Sequence, residues 1–111
     1  MKVTSTNFSG LKIVQYKIYK DNRGVLKEIF KLKIFKNIDF IFNIASISKK
    51  NVVRGFHIQT KFKQAKYVSV LKGAILDVAL DLRKGSNTFG KHFKIILVNS
   101  FTLIRTLGHD K

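Results

Sequence analysis

Apolar side chains recur at every second position in several short runs of this sequence, and no helical period persists over a long segment. A chain patterned in this way buries one face of each strand, so the folds open to it are sheets that close or pack on one another. The clearest run is Ala74 to Leu82. It sets Ala74, Leu76, Val78, Leu80 and Leu82 on one face and Asp77 and Asp81 on the other. Phe93, Ile95 and Leu97 mark a further strand by the same alternation. Leu11 to Lys20 reads as a strand that ends at Asp21-Asn22-Arg23-Gly24, a turn cluster, after which Val25 to Phe30 resumes the strand pattern. Phe40 to Ser48 is expected as another, with Ile38, Phe40, Phe42 and Ile44 on one side, whereas Lys31 to Lys36 is ambiguous. Ser48 to Asn51 makes a turn before Val52 and Val53, and Lys72-Gly73 separates a strand at Tyr67 to Leu71 from the Ala74 run. Gly85-Ser86-Asn87 is a loop. Many short strands between turns predict an all-β, antiparallel sandwich or barrel.

The chain has 111 residues, room for one domain with a modest core. It lacks cysteine, which rules out disulfides and thiolate metal sites and fits a reducing, cytoplasmic setting. Met1 to Lys12 has polar residues where an export signal needs an apolar run, and the longest late aliphatic run, Ile95 to Val98, is too short to span a membrane. The net charge of +16, from 22 Lys and Arg against 6 Asp and Glu, draws anions from a distance and favours phosphate-bearing partners. A nucleic-acid partner is disfavoured: only Arg23, Arg54, Arg83 and Arg105 are arginine, and the lysines are scattered. The histidines His57, His92 and His109 lack the compact spacing of metal ligands, so no metal site is expected.

The candidate chemistry lies at Arg54-Gly55-Phe56-His57, with Lys66 nine positions beyond the histidine. A neutral imidazole accepts a proton near pH 7, and two cations beside it would hold an anion or steady an enolate. Proton abstraction next to a carbonyl fits this set. Taken alone, an isolated histidine in a strand is more often a surface or hydrogen-bonded core residue. In a regular strand Arg54 and His57 face opposite ways while His57 and Gln59 share a face, so a bulge at Gly55 is needed to bring Arg54 round.

The surrounding text shifts that balance. Asp21-Asn22-Arg23-Gly24 with Glu28, Arg54-Gly55-Phe56-His57-Ile58-Gln59, Gln64-Ala65-Lys66, and Asp77 to Lys84 followed by Thr88-Phe89-Gly90-Lys91 appear in that order. Over roughly residues 1–98 the chain resembles the dTDP-4-dehydrorhamnose 3,5-epimerase family. The resemblance implies a cupin-type jelly roll and a cofactor-free homodimer acting on dTDP-4-dehydro-6-deoxyglucose. It also implies that His57 is the base that removes the C3 and C5 protons and that Lys66 stabilises the resulting enolate. Arg54 and Gln59 would contact substrate, and Arg23 and Glu28 would hold the nucleotide diphosphate portion. Asp77, Asp81 and Arg83 are expected to make structural ion pairs.

The resemblance also exposes departures. Family chains run further and supply a proline-glycine-phenylalanine-histidine segment, an acid tyrosine and an aspartate that orients the histidine. The tyrosines here, Tyr16, Tyr19 and Tyr67, all precede the place where that acid should lie. Residues 99–111 no longer follow the family, so a jelly roll incomplete at its C-terminus is expected. The family's substrate-contact Gln-x-Asn segment is represented by Phe42-Asn43-Ile44, with Asn43 offset by one. An epimerase is the first expectation. The alternative is a catalytically impaired remnant or interaction module that still binds nucleotide sugar, and a basic nucleic-acid-binding β domain ranks last.

Overall fold

A computed structural model describes residues 2–31, 38, 40, 43–58, 65–99 and 101–105. Among them there are eight strands and no helix: β1 (Lys2–Ser5), β2 (Leu11–Gln15), β3 (Ile18–Asp21), β4 (Gly24–Lys27), β5 (Lys66–Ser69), β6 (Ile75–Leu80), β7 (His92–Leu97) and β8 (Phe101–Arg105). All pairings are antiparallel. Four strands form a sheet in the order β1-β2-β8-β5, while β3–β4 and β6–β7 are two-stranded hairpins.

Side-chain alternation gives the four-stranded sheet two buried faces. The face bearing Leu11 and the row Ile13, Leu103 and Val68 points toward the β6–β7 hairpin and packs with Phe8, Val70, Ala79 and Leu97, supported by Phe93, Ile95 and Phe101. The opposite face carries Val14, Tyr16 and Ile104 against Ile38, Phe40 and Tyr67. Phe30, Phe40 and Tyr67 meet edge to face there, with ring centroids 5.5–6.0 Å apart. Burying an aliphatic side chain of this size contributes about 1.5–3 kcal/mol, so these two layers hold the sheet between them.

The strand β8 is central to both layers. Thr102, Leu103 and Ile104 are all buried, and the Thr102 hydroxyl is satisfied by Ser69 Oγ across the β5 pairing. Sequence alternation does not predict this strand, because a strand buried on both faces carries a continuous apolar run and not a two-residue period.

Turn chemistry explains the hairpins. Gly24 closes the β3–β4 turn with φ near +139°, and Gly73 takes φ near +87° in the connection into β6. The clearest sequence strand does form, yet its buried face is the other one. Asp77, Ala79 and Asp81 turn inward with Phe93, Ile95 and Leu97 of β7, while Leu76 is 63% and Leu82 46% exposed. The physical reason is that both acids find cationic or hydroxyl partners inside, described below. Phe40 to Ser48 also departs from expectation. Among its described residues, 43–48 are not strand, and Ile44 and Ile47 stand in solvent, Ile47 at 98% exposure. Ile38 and Phe40 nonetheless pack on the core as the period-two reading places them.

Candidate active site

Gly55 takes φ near +117°, a conformation that favours glycine, but the strand expected around it, with a bulge that would bring Arg54 round, does not form. His57 follows on an exposed, non-strand segment, 43–58. Arg54 lies on the same segment, where its Nε donates to Ser48 Oγ at 2.8 Å. Lys66 opens β5 and is exposed. Among the described residues no hydrogen bond or ion pair links His57 to Arg54 or Lys66. Gln59 lies outside the described residues. A concavity lined by Phe8, Leu11, Lys12, Ile38 and Ile104, and another lined by Gln15, Tyr16, Lys17 and Tyr19, include none of the three.

The β3–β4 hairpin carries the proposed diphosphate residues. Asp21 accepts from the Arg23 backbone N–H at 2.8 Å and from its Nη2 at 2.7 Å, which pulls the Asp21 carboxyl below its ordinary value and sets the guanidinium over the turn. The arginine side chain itself is 86% exposed, and Tyr19, Val25 and Leu26 beside it are exposed as well. Glu28 pairs with Lys31 at 3.1 Å. Lys27 Nζ donates to the Val70 carbonyl at 3.1 Å, tying the end of the hairpin to the main sheet, and burial lowers that ammonium's pKa.

The acids on and beside β6 make structural pairs, as the sequence reading expects. Asp81 is buried and accepts from Arg83 Nε at 3.0 Å, from Ser86 Oγ at 2.7 Å and from the Thr88 hydroxyl. The Arg83 guanidinium, helped by the two hydroxyls and opposed by burial, holds this carboxyl far below the usual carboxylate range. Asp77 pairs with Arg105 Nη2 at 3.5 Å. Sequence reasoning misses that partner, because the strand bearing Arg105 gives no alternating signal.

None of the tyrosines is arranged as an acid beside His57. Tyr67 Oη bonds the Tyr16 hydroxyl and the Ile29 carbonyl, and burial, reinforced by Tyr16, pushes its pKa well above the phenol range. Tyr19 lies on the exposed face of β3. Among the described residues no group of histidine and acidic side chains has the arrangement of a metal site.

A sequence model of dTDP-4-dehydrorhamnose 3,5-epimerase matches residues 5–103. The chain belongs to the dTDP-4-dehydrorhamnose 3,5-epimerase family. The epimerase of Methanothermobacter thermautotrophicus is 39% identical over 90 residues, covering 78% of this chain and 49% of that protein. That of Escherichia coli is 35% identical over 103 residues, covering 87% and 56%. The chain thus spans about half the length of the curated relatives it matches. Among solved structures, the dTDP-6-deoxy-D-glucose-3,5-epimerase of Legionella pneumophila, crystallised with dTDP-4-keto-L-rhamnose, superposes with a TM-score of 0.88 at 38% identity. It covers 94% of this chain and 59% of that one. The epimerase of Mycobacterium tuberculosis superposes with a TM-score of 0.84 at 30% identity, over 95% of this chain and 56% of that one. With these epimerases as neighbours, the antiparallel strands described above are those of a cupin-type jelly roll. The match to residue 103 takes in most of β8, so family similarity reaches into the segment where the sequence reading sees only divergence.

Proposed function

We propose that this chain is a single dTDP-4-dehydrorhamnose 3,5-epimerase-like domain, acting in the cytoplasm as a homodimer on dTDP-4-dehydro-6-deoxyglucose. The observation that carries this reading is the family match across residues 5–103, which encloses His57, Lys66, Arg54, Gln59, Arg23 and Glu28 in one ordered set. In the reaction, the C4 ketone acidifies the neighbouring C–H bonds. His57 takes the C3 proton, the C–H electron pair forms a C3–C4 double bond, and the carbonyl π electrons move to O4 as an enolate. Lys66 offsets that charge. A proton delivered from solvent to the opposite face of C3 restores the ketone with inverted configuration, His57 gives its proton up to water, and the same sequence at C5 completes the epimerisation.

Arg54 and Gln59 bind the sugar in this scheme, and Arg23 and Glu28 the diphosphate, whose oxygens suit a guanidinium fork. The exposure of Tyr19, Val25 and Leu26 around Arg23 supports a second copy covering that hairpin. No cofactor enters the scheme. Among the described residues, no helix is long and apolar enough to cross a membrane.

A second reading is favoured by one observation, the exposure of His57 on a segment where the described residues give it no orienting partner. Under it the chain binds nucleotide sugar without turning it over. Solvent deuterium separates the two. Incorporation at C3 and C5 of the sugar supports the epimerase, and saturable dTDP binding without incorporation supports the binding module.

A further inference from the structure

Lys66 and Arg105 are directly opposed across the β5–β8 pairing, so both side chains leave the sheet on the same face, in one row with Leu11. Cβ atoms in such a pair lie about 4.5–5.5 Å apart, and like charges so placed are disfavoured. One carboxylate from the facing hairpin reaches this row. Asp77 Oδ2 is 3.5 Å from Arg105 Nη2, and the two side chains are only 9% and 24% exposed. It offsets one of the two positive charges. The other has no counter-ion among the described residues, since the Lys66 ammonium makes no ion pair or hydrogen bond there. Arg105 Nε is buried and has no acceptor among the described residues, although a buried N–H normally has one. An opposed cation pair, a single acid that engages one fork of the guanidinium, and an orphaned donor beside it together leave a place for an anionic oxygen.

We propose that Lys66 and Arg105 form an oxyanion seat, with Asp77 holding the guanidinium in place as its counter-ion. The seat takes a compact oxyanion, either a phosphate oxygen or the enolate oxygen of a keto sugar. The identity of that natural ligand rests on the epimerase reading, whereas the seat does not. Arg105 is then a second cation for the anion that Lys66 is assigned to stabilise. It comes from the strand that sequence patterning leaves unread.

The chain has four arginines, so a nitrogen-15 spectrum of the guanidinium Nε–H groups gives four signals to follow in the full-length protein. Titration with inorganic phosphate is expected to move the Arg105 signal saturably while Arg83, committed to Asp81, stays still. In Lys66→Met the phosphate affinity read from Arg105 should fall at least about fivefold, the loss of one charge-assisted contact. An Arg105 signal that phosphate does not move, or an affinity unchanged in Lys66→Met, overturns the seat. Parallel titrations with dTDP and with the dTDP-4-keto sugar identify the source of the oxyanion. A shift with both assigns it to the diphosphate, and a shift with the keto sugar alone assigns it to the sugar. If phosphate moves Arg105 but neither nucleotide moves any arginine, the seat stands and the epimerase reading fails. If the nucleotides move Arg23 and Arg54 while phosphate leaves Arg105 still, the seat fails and the epimerase reading stands.

Discussion

Replacing Asp81 by Asn should destabilise the protein more than any other single polar substitution among the described residues. The carboxylate is buried and accepts from the Arg83 backbone N–H and Nε, both at 3.0 Å, from Nη2 at 3.1 Å, and from the Ser86 and Thr88 hydroxyls. Hydrogen bonds to a charged group are worth about 1.5–3 kcal/mol each but do not add, and breaking a buried ion pair costs about 3–5 kcal/mol. Asn keeps one acceptor oxygen for the Arg83 backbone, and the Arg83 side chain is 15% exposed, which places the net loss near the lower bound, at about 3 kcal/mol. For a domain of this size that lowers Tm by roughly 12–24 °C.

The pH dependence has a definite sign. Asp81 is held below its ordinary value in the folded state, so its stabilisation is present above the unfolded carboxylate's value, near pH 4, and is lost as pH falls toward the folded value. Thermal unfolding followed by circular dichroism between pH 7 and pH 3 should show a steeper acid loss in the wild type than in Asp81→Asn. A variant within about 0.5 kcal/mol of wild type at pH 7, the range of an ordinary surface change, refutes the network's role.

Other substitutions test other layers. Leu103→Ala, at the centre of the sheet, should cost about 2–5 kcal/mol in denaturant unfolding through the cavity it leaves. Tyr67→Phe removes the bonds to Tyr16 and the Ile29 carbonyl and should cost about 1–3 kcal/mol, and an ultraviolet titration should lose its most alkaline phenol. Gly55→Ala, at φ near +117° and with a Cβ that would meet only the His57 backbone nitrogen at an ordinary 3.8 Å, should cost roughly 1–3 kcal/mol by backbone strain, measurable as a shift of the unfolding midpoint.

Much of the architecture was legible because turn chemistry and alternation agree locally. Asp21 to Gly24 marks the β3–β4 turn, and Phe93, Ile95 and Leu97 identify the inner face of β7. Alternation points to the wrong face of β6 because its even positions are the more apolar. Packing instead chose Ala79 and two acids whose charges are met by Arg105 and by Arg83 with its hydroxyl neighbours. The strand β8 was invisible to a period-two search because both of its faces are buried. The candidate site residues are legible only as ordered motifs, not from local chemistry: Arg54 turns to Ser48, and the Lys66–Arg105 pairing joins positions 39 apart in sequence, 105 less 66.

Chemical rescue addresses the base directly. In His57→Ala, deuterium incorporation at C3 of the dTDP-4-keto sugar should fall by about two to four powers of ten and return in proportion to added imidazole, as expected when the missing group is a proton acceptor. Incorporation by the variant at the wild-type rate, or none by the wild-type protein while dTDP still binds, would show that this imidazole does not remove the proton.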